Sequence, residues 1–188
     1  MAEHRLKPLC PLGGTSPARA SIGPVTLTEV VDVALASVSA RLGRTAEVAA
    51  SAAGAGIPLP GPGRFEARAP FAAFWLSPDS WMVEAPFATH EDSRAALLPV
   101  FGDAASITEQ TDAWVRIDVT GEGLPALFER LCNVDLATAQ EGAATRTILE
   151  HMGVYVVKRG AAQVSVIGAR SSAAALWHAL DTAAHSVF

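Results

Sequence analysis

Cysteine, charge and long apolar runs are all scarce in this sequence, and each scarcity removes a class of protein. Two cysteines, Cys10 and Cys132, stand among 188 residues. One lies in a proline-flanked segment and the other at the end of an apolar stripe, so a reducing cytoplasm is the expected setting, with a disulfide between them the less favoured alternative. Charged residues make up 18% of the chain, 14 basic against 19 acidic, for a net charge of −5. A nucleic-acid partner calls for a basic face that neutralises phosphates, and this balance does not encode one. The most apolar stretch, residues 25–42, is broken by Glu29, Asp32 and Arg41, so it falls short of the ~20 apolar residues of a spanning helix. No membrane partner is expected. The N-terminal Met1-Ala-Glu-His-Arg is followed by no apolar run, so no secretory signal is expected.

Recognisable chemistry is scarce too. No G-x-G-x-x-G and no G-x-x-x-x-G-K occurs. The glycines of 54–63 are interleaved with Pro58, Pro60 and Pro62, which keeps a helix N-terminus from presenting its amides to a phosphate. His178 and His185 lie about 10 Å apart along a helix, too far to share one zinc. His90-Glu91-Asp92 reads as a solvated first turn that complements the helix dipole. Cys132 follows a leucine, where a thiol packs as a small hydrophobe, and His151 stands beside Met152-Gly153 at an expected turn. No catalytic, cofactor-binding or metal-ligating residue is therefore assigned to this chain.

What is present is half apolar, with 37 alanines. Residues 1–24 hold four prolines and three glycines, a composition that forbids regular helix and disfavours a central strand. They read as an extended arm, either a disordered tail or a segment whose Leu6, Leu9 and Leu12 dock on a partner. Residues 33–38 read as a strand with helix as the competitor, and 45–55 as a helix with Val48 and Ala52 on one face. Two aromatic runs, 71–76 and 81–84, flank Ser-Pro-Asp-Ser and predict a hairpin. The helix after it is expected to open at Thr89 in a capping box with Asp92. Residues 113–119 alternate with period two, placing Val115, Ile117 and Val119 on one face. Leu124, Leu127, Phe128 and Leu131 share a helical stripe that tolerates Pro125 in its first turn. Strands follow over 145–150, 154–157 and 163–167. The last helix is expected to be capped by Ser171 or Ser172, with Ala173, Leu176, Trp177, Leu180 and Ala184 inward.

The order hairpin, capped helix recurs in 71–101 and 154–184. The expected fold is therefore α+β, in two related halves (25–102 and 103–188), each an antiparallel or mixed sheet covered by helices. Arg116 and Arg146 are each central in a strand beside apolar neighbours. Such an arginine faces solvent from one side of a sheet, or pairs with a carboxylate within the fold or across an interface. Leu6, Leu9, Leu12, Trp75, Trp81, Arg146 and His151 are the candidate interface residues.

The runs Ile107–Gly121, Leu127–Leu136 and Gly142–Thr147 with Glu150-His151, then Arg170–His178, resemble the gamma subunits of heterotetrameric sarcosine oxidases. Phe74–Pro86 and the Leu9-Cys-Pro-Leu-Gly-Gly14 arm fit the same pattern, so the resemblance covers most of the chain. It implies a non-catalytic subunit, with alpha, beta and delta subunits as partners. The complex oxidatively demethylates sarcosine to glycine, giving hydrogen peroxide and formaldehyde or methylene-tetrahydrofolate. FAD, FMN, NAD, zinc and tetrahydrofolate are then held by the other subunits. More distantly, Trp114 through Gly153 is similar to the first part of folate-dependent aminomethyltransferases, although the Lys-Gly-Cys-Tyr-x-Gly-Gln-Glu stretch of their folate-binding relatives is missing. Two alternatives stay open: a subunit of a sister N-methyl amino acid dehydrogenase complex, and a stand-alone folate-binding one-carbon protein.

Overall fold

The computed structural model describes residues 7–188, and Leu6 lies outside them. The strands are β1 (Arg19–Ile22), β2 (Val25–Val30), β3 (Val33–Ala40), β4 (Phe65–Arg68), β5 (Phe71–Ser77), β6 (Ser80–Pro86), β7 (Ala105–Glu109), β8 (Trp114–Gly121), β9 (Ala144–Leu149), β10 (Met152–Gly160) and β11 (Gln163–Ala169). The helices are α1 (Thr45–Gly54), a single turn α2 (Phe87–His90), α3 (Ser93–Phe101), α4 (Leu124–Phe128) and α5 (Ala173–Val187). One sheet runs β1-β2-β8-β11-β10-β9 and the other β4-β5-β6-β3-β7. Every pairing within them is antiparallel.

Alternation along the strands builds the layers. Val115, Ile117 and Val119 of β8 and Val25 and Leu27 of β2 point to one face, where Leu127, Phe128, Leu176 and Leu180 of α4 and α5 cover them. Ala36, Val38 and Val83 of the second sheet meet Val48, Ala52, Leu97 and Phe101 of α1 and α3. The inner faces of the two sheets meet through Leu35, Phe74, Met82, Tyr155, Val157 and Ile167. The result is a helix–sheet–sheet–helix stack. Each fully buried leucine or phenylalanine contributes roughly 1.5–3 kcal/mol by leaving water.

The two halves share one topology. The sequence order β3-α1-β4-β5-β6-α3 is repeated as β8-α4-β9-β10-β11-α5, and the sheet orders β4-β5-β6-β3 and β9-β10-β11-β8 correspond strand for strand. The halves interlock, because each sheet is completed by a strand from beyond the expected boundaries. β2 lies in the sequence before β3 yet pairs with β8, and β7 lies after residue 102 yet pairs with β3. Where β2 begins beside the end of β8, Gly121 has φ +127° and a Cβ there would collide with the Pro24 carbonyl. Only glycine fits that crossing.

Some local expectations are corrected. The third helix of the chain starts at Asp92, not Thr89: the Asp92 carboxylate accepts the Ala95 N–H at 2.8 Å. Thr89 instead sits in the separate turn α2, its hydroxyl donating to Pro86 O and meeting His90 Nδ1. A carboxylate is the stronger acceptor and takes the cap. Ser172 precedes α5 without a side-chain capping bond, the chain entering through a 3-10 turn over Arg170–Ser172. Trp177 is half-buried at the flank of the core, while Ala173, Leu176, Leu180 and Ala184 face inward. Within the expected arm, residues 19–22 form an edge strand.

Candidate functional site

The candidate interface residues fall into three separate places. Leu9 and Leu12 belong to the arm, which lies against the chain's own body. Glu29 of β2, 1% exposed, accepts the Leu12 N–H at 2.8 Å on one carboxylate oxygen and the Ala18 N–H at 2.9 Å on the other. Arg170 donates to Leu9 O at 2.8 Å. A buried carboxylate needs such donors, so a sequence that read Glu29 as an interruption of an apolar run missed an anchor. Leu12 packs against the core of the first sheet, and Leu9 stays 52% exposed.

Trp75 and Trp81 form a cross-strand pair on the far sheet. Trp81 is 8% exposed, inside the core beneath α1 and α3. Its indole N–H donates to Pro60 O at 2.8 Å, fastening the proline-rich loop between α1 and β4. Trp81 is thus a core residue rather than an interface residue, because the loop that composition left unplaced folds over it. Trp75 is half-buried against the same core.

Arg146 and His151 belong to the same β9–β10 hairpin. β9 is an edge strand, and His151 lies in the two-residue turn that joins it to β10. Both are exposed, as is Ile148 at 60%. Next to the turn a groove of about 610 Å³ runs between the β9–β10 hairpin and the outer side of α5. Met152, Ala179 and Ala183 line it, with Arg130, Glu150, His151 and His178 adding charged and polar groups. Four strand spacings separate β2, where the arm is anchored, from β9, roughly 19 Å at about 4.8 Å per strand.

Arg116 takes the second of its readings, pairing within the fold. Its guanidinium grips Asp118 with two 2.8 Å bonds and reaches Glu84 of the other sheet at 3.3 Å. Arg159 makes the matching bidentate pair to Glu84, at 2.7 and 2.8 Å, and lies over the Phe65 ring at 4.3 Å. Ser165 and Gln163 donate to Asp118. Two arginines and two carboxylates balance, and no buried side-chain polar atom among the described residues lacks a partner. Burial pushes the Asp118 carboxyl up, but the Arg116 hydrogen bonds and charge, the Ser165 hydroxyl and the Arg159 charge together hold it below the usual carboxylate range. This network joins the sheets and leaves no free group for a reaction. Glu84 and Arg159 were invisible in the sequence, since neither is near Arg116 along the chain. Burial raises the pKa of the Cys132 thiol, which disfavours the reactive thiolate. Among the described residues no three His, Cys, Asp or Glu side chains converge on a metal position.

Solved structures share this architecture. The fold is similar to a chain of heterotetrameric sarcosine oxidase from Corynebacterium sp. U-96 in complex with pyrrole 2-carboxylate, with TM-score 0.73 and 22% identity over 89% of this chain and 87% of that one. It is also similar to glycine cleavage system aminomethyltransferase T from Bartonella henselae, with TM-score 0.64 and 13% identity over 85% of this chain and 46% of that one. The chain thus spans about half of that aminomethyltransferase. No family model and no curated protein sequence matches. At these identities the likeness is one of fold, and it agrees with the distant resemblance read from the residues.

Proposed function

We propose that this chain is a non-catalytic, gamma-type subunit of a heterotetrameric sarcosine oxidase complex. The supporting observation is the match in extent: 89% of this chain overlays 87% of a chain of such an oxidase. A fully self-neutralised buried charge network, rather than a reactive cluster, fits a subunit whose role is assembly. In this reading alpha, beta and delta subunits are its partners, and FAD, FMN, NAD, zinc and tetrahydrofolate are held by them. The complex converts sarcosine to glycine, with hydrogen peroxide and formaldehyde or methylene-tetrahydrofolate as the other products. Co-expression with the large subunits of such an oxidase should yield a flavin-coloured assembly that retains this chain through size-exclusion chromatography. Elution of the chain alone would refute the reading. If the assembly oxidises another N-methyl amino acid and not sarcosine, the chain belongs to a sister dehydrogenase complex.

A second reading, a stand-alone folate-binding one-carbon protein, is supported by the aminomethyltransferase-like fold. It requires stoichiometric binding of tetrahydrofolate to the isolated chain in calorimetry, and absence of heat would remove it.

A further inference from the structure

We infer that the outer edge of β9 accepts an extended, acidic segment of a partner subunit as an additional antiparallel strand. The inference rests on reading the chain as a subunit of a larger complex. Backbone alternation fixes which groups are on offer. The Ala144 N–H points away from β10 and donates to Gly63 O at 2.8 Å, and residues two apart on a strand present their N–H and C=O groups to the same side. Arg146 and Ile148 therefore aim their backbone groups outward. The chain itself begins this ladder: Arg64 bridges Ala143 in antiparallel sense. It goes no further toward Arg146, because the residues that would lie there come just before the bridge and form a turn, the Arg64 N–H donating to Gly61 O at 3.1 Å. Among the described residues, no strand continues along β9 past that point.

The other three sheet edges are protected in familiar ways. β1 and β4 are four residues long, and β4 carries Glu66 and Arg68. β7 shows Ser106, Thr108 and Glu109 to solvent. Short, polar or charged edges resist added strands. β9 has six residues and no proline. Among the described residues, Ile148 is the one large apolar side chain exposed on an edge strand.

Side chains define the occupant. Arg146 and Ile148 lie on the face of β9 that also carries Ala144, but the second sheet covers Ala144 and stops before them. Among the described residues no carboxylate comes within 4.0 Å of Arg146. An incoming strand thus needs an apolar residue opposite Ile148 and, two residues on, an acidic residue opposite Arg146. Past the hairpin the same segment meets the groove, where Glu150 stands among Arg130, His151 and His178, so the acidic preference is set by Arg146. A second copy fits poorly. Pairing centred on Arg146 opposes like charges, and pairing centred on Thr147 sets each Arg146 against Ile148. Pairing centred on Ile148 sets Arg146 against Glu150, whose φ of +52° has already left the strand.

The test is amide hydrogen exchange on the wild-type chain, alone and in the flavin-containing assembly with the large subunits. Assembly should slow exchange at Arg146 and Ile148 by about tenfold or more while leaving the already paired Thr145 and Thr147 unchanged. Ile148→Pro removes only an outward donor, a change that an edge strand tolerates. Arg146→Glu reverses the charge without touching the backbone. Both variants should melt near the wild type in isolation and be retained about tenfold less well in the assembly. Unchanged exchange at Arg146 and Ile148 in an intact assembly overturns the inference and spares the subunit reading. Failure of the wild-type chain to assemble overturns both. A dimer of the isolated chain that Ile148→Pro dissolves would assign the edge to a second copy instead.

Discussion

Asp118 shows how a single residue can be held charged in the interior. With Arg116 bidentate on one side and Ser165 at 2.5 Å on another, the carboxylate is the form the fold prefers. Its folded pKa lies below the usual value, so its contribution to stability is complete above the unfolded-state pKa of about 3.9 and is lost as pH falls through the lower folded value. Asp118→Asn should therefore cost about 3 kcal/mol at neutral pH, leaving Arg116 and Arg159 with one carboxylate between them. Urea unfolding should show the gap to wild type narrowing as the pH drops below 4. Packing residues divide by depth in the same way. Phe128→Ala, at a fully buried site, should cost roughly 3–5 kcal/mol. The sequence stripe promises as much for Trp177, but its half-buried position at the core's flank predicts a smaller loss than at Phe128. Thermal melts of the two variants would rank them.

Among the elements, the arm and the crossing at Gly121 depend most on contacts far away in sequence. Residues 9–18 have no regular structure, yet two of their amides end on the buried Glu29 carboxylate. Glu29→Ala should speed exchange at the Leu12 and Ala18 amides and expose the segment to protease, at a cost of about 1–3 kcal/mol for the amides left unpaired. Gly121→Ala should lower the melting temperature more than a surface change does, because a left-handed φ and the Pro24 carbonyl both oppose a side chain. The strands and helices themselves were largely legible. Val115-Ile117-Val119, Val48 with Ala52, and the Leu176-Leu180-Ala184 stripe each occupy the face that their spacing predicts, since local periodicity needs only one apolar side to be satisfied. The cap at Thr89 was not legible, because two nearby acceptors competed and the Asp92 carboxylate, the stronger one, took the Ala95 N–H.

On the scale of the whole molecule, the exchange of β2 and β7 across the two halves makes each sheet depend on the other half of the chain. Unfolding should accordingly be a single cooperative transition rather than two steps, with far-UV and near-UV signals coincident in denaturant. Two transitions would show that the halves separate. The same interlocking sets the surface. It leaves β9 as the open edge, puts Arg146 and His151 beside it, and removes Trp81 to the interior. The scattered charges of the sequence become a buried network because the two sheets meet face to face, bringing Glu84 within reach of Arg116 and Arg159.

The paucity of cysteine and charge and the periodicities of strands and helices were properties of the sequence alone, and they were enough for an α+β chain in two related halves. Those features are local, decided by which side of each element is apolar. Which strand lies beside which, what Glu29 holds, whether an arginine is paired, and which tryptophan is buried depend on residues tens of positions apart. Only the tertiary fold, through strand pairing, loop and arm docking and the packing of one sheet against the other, decided them.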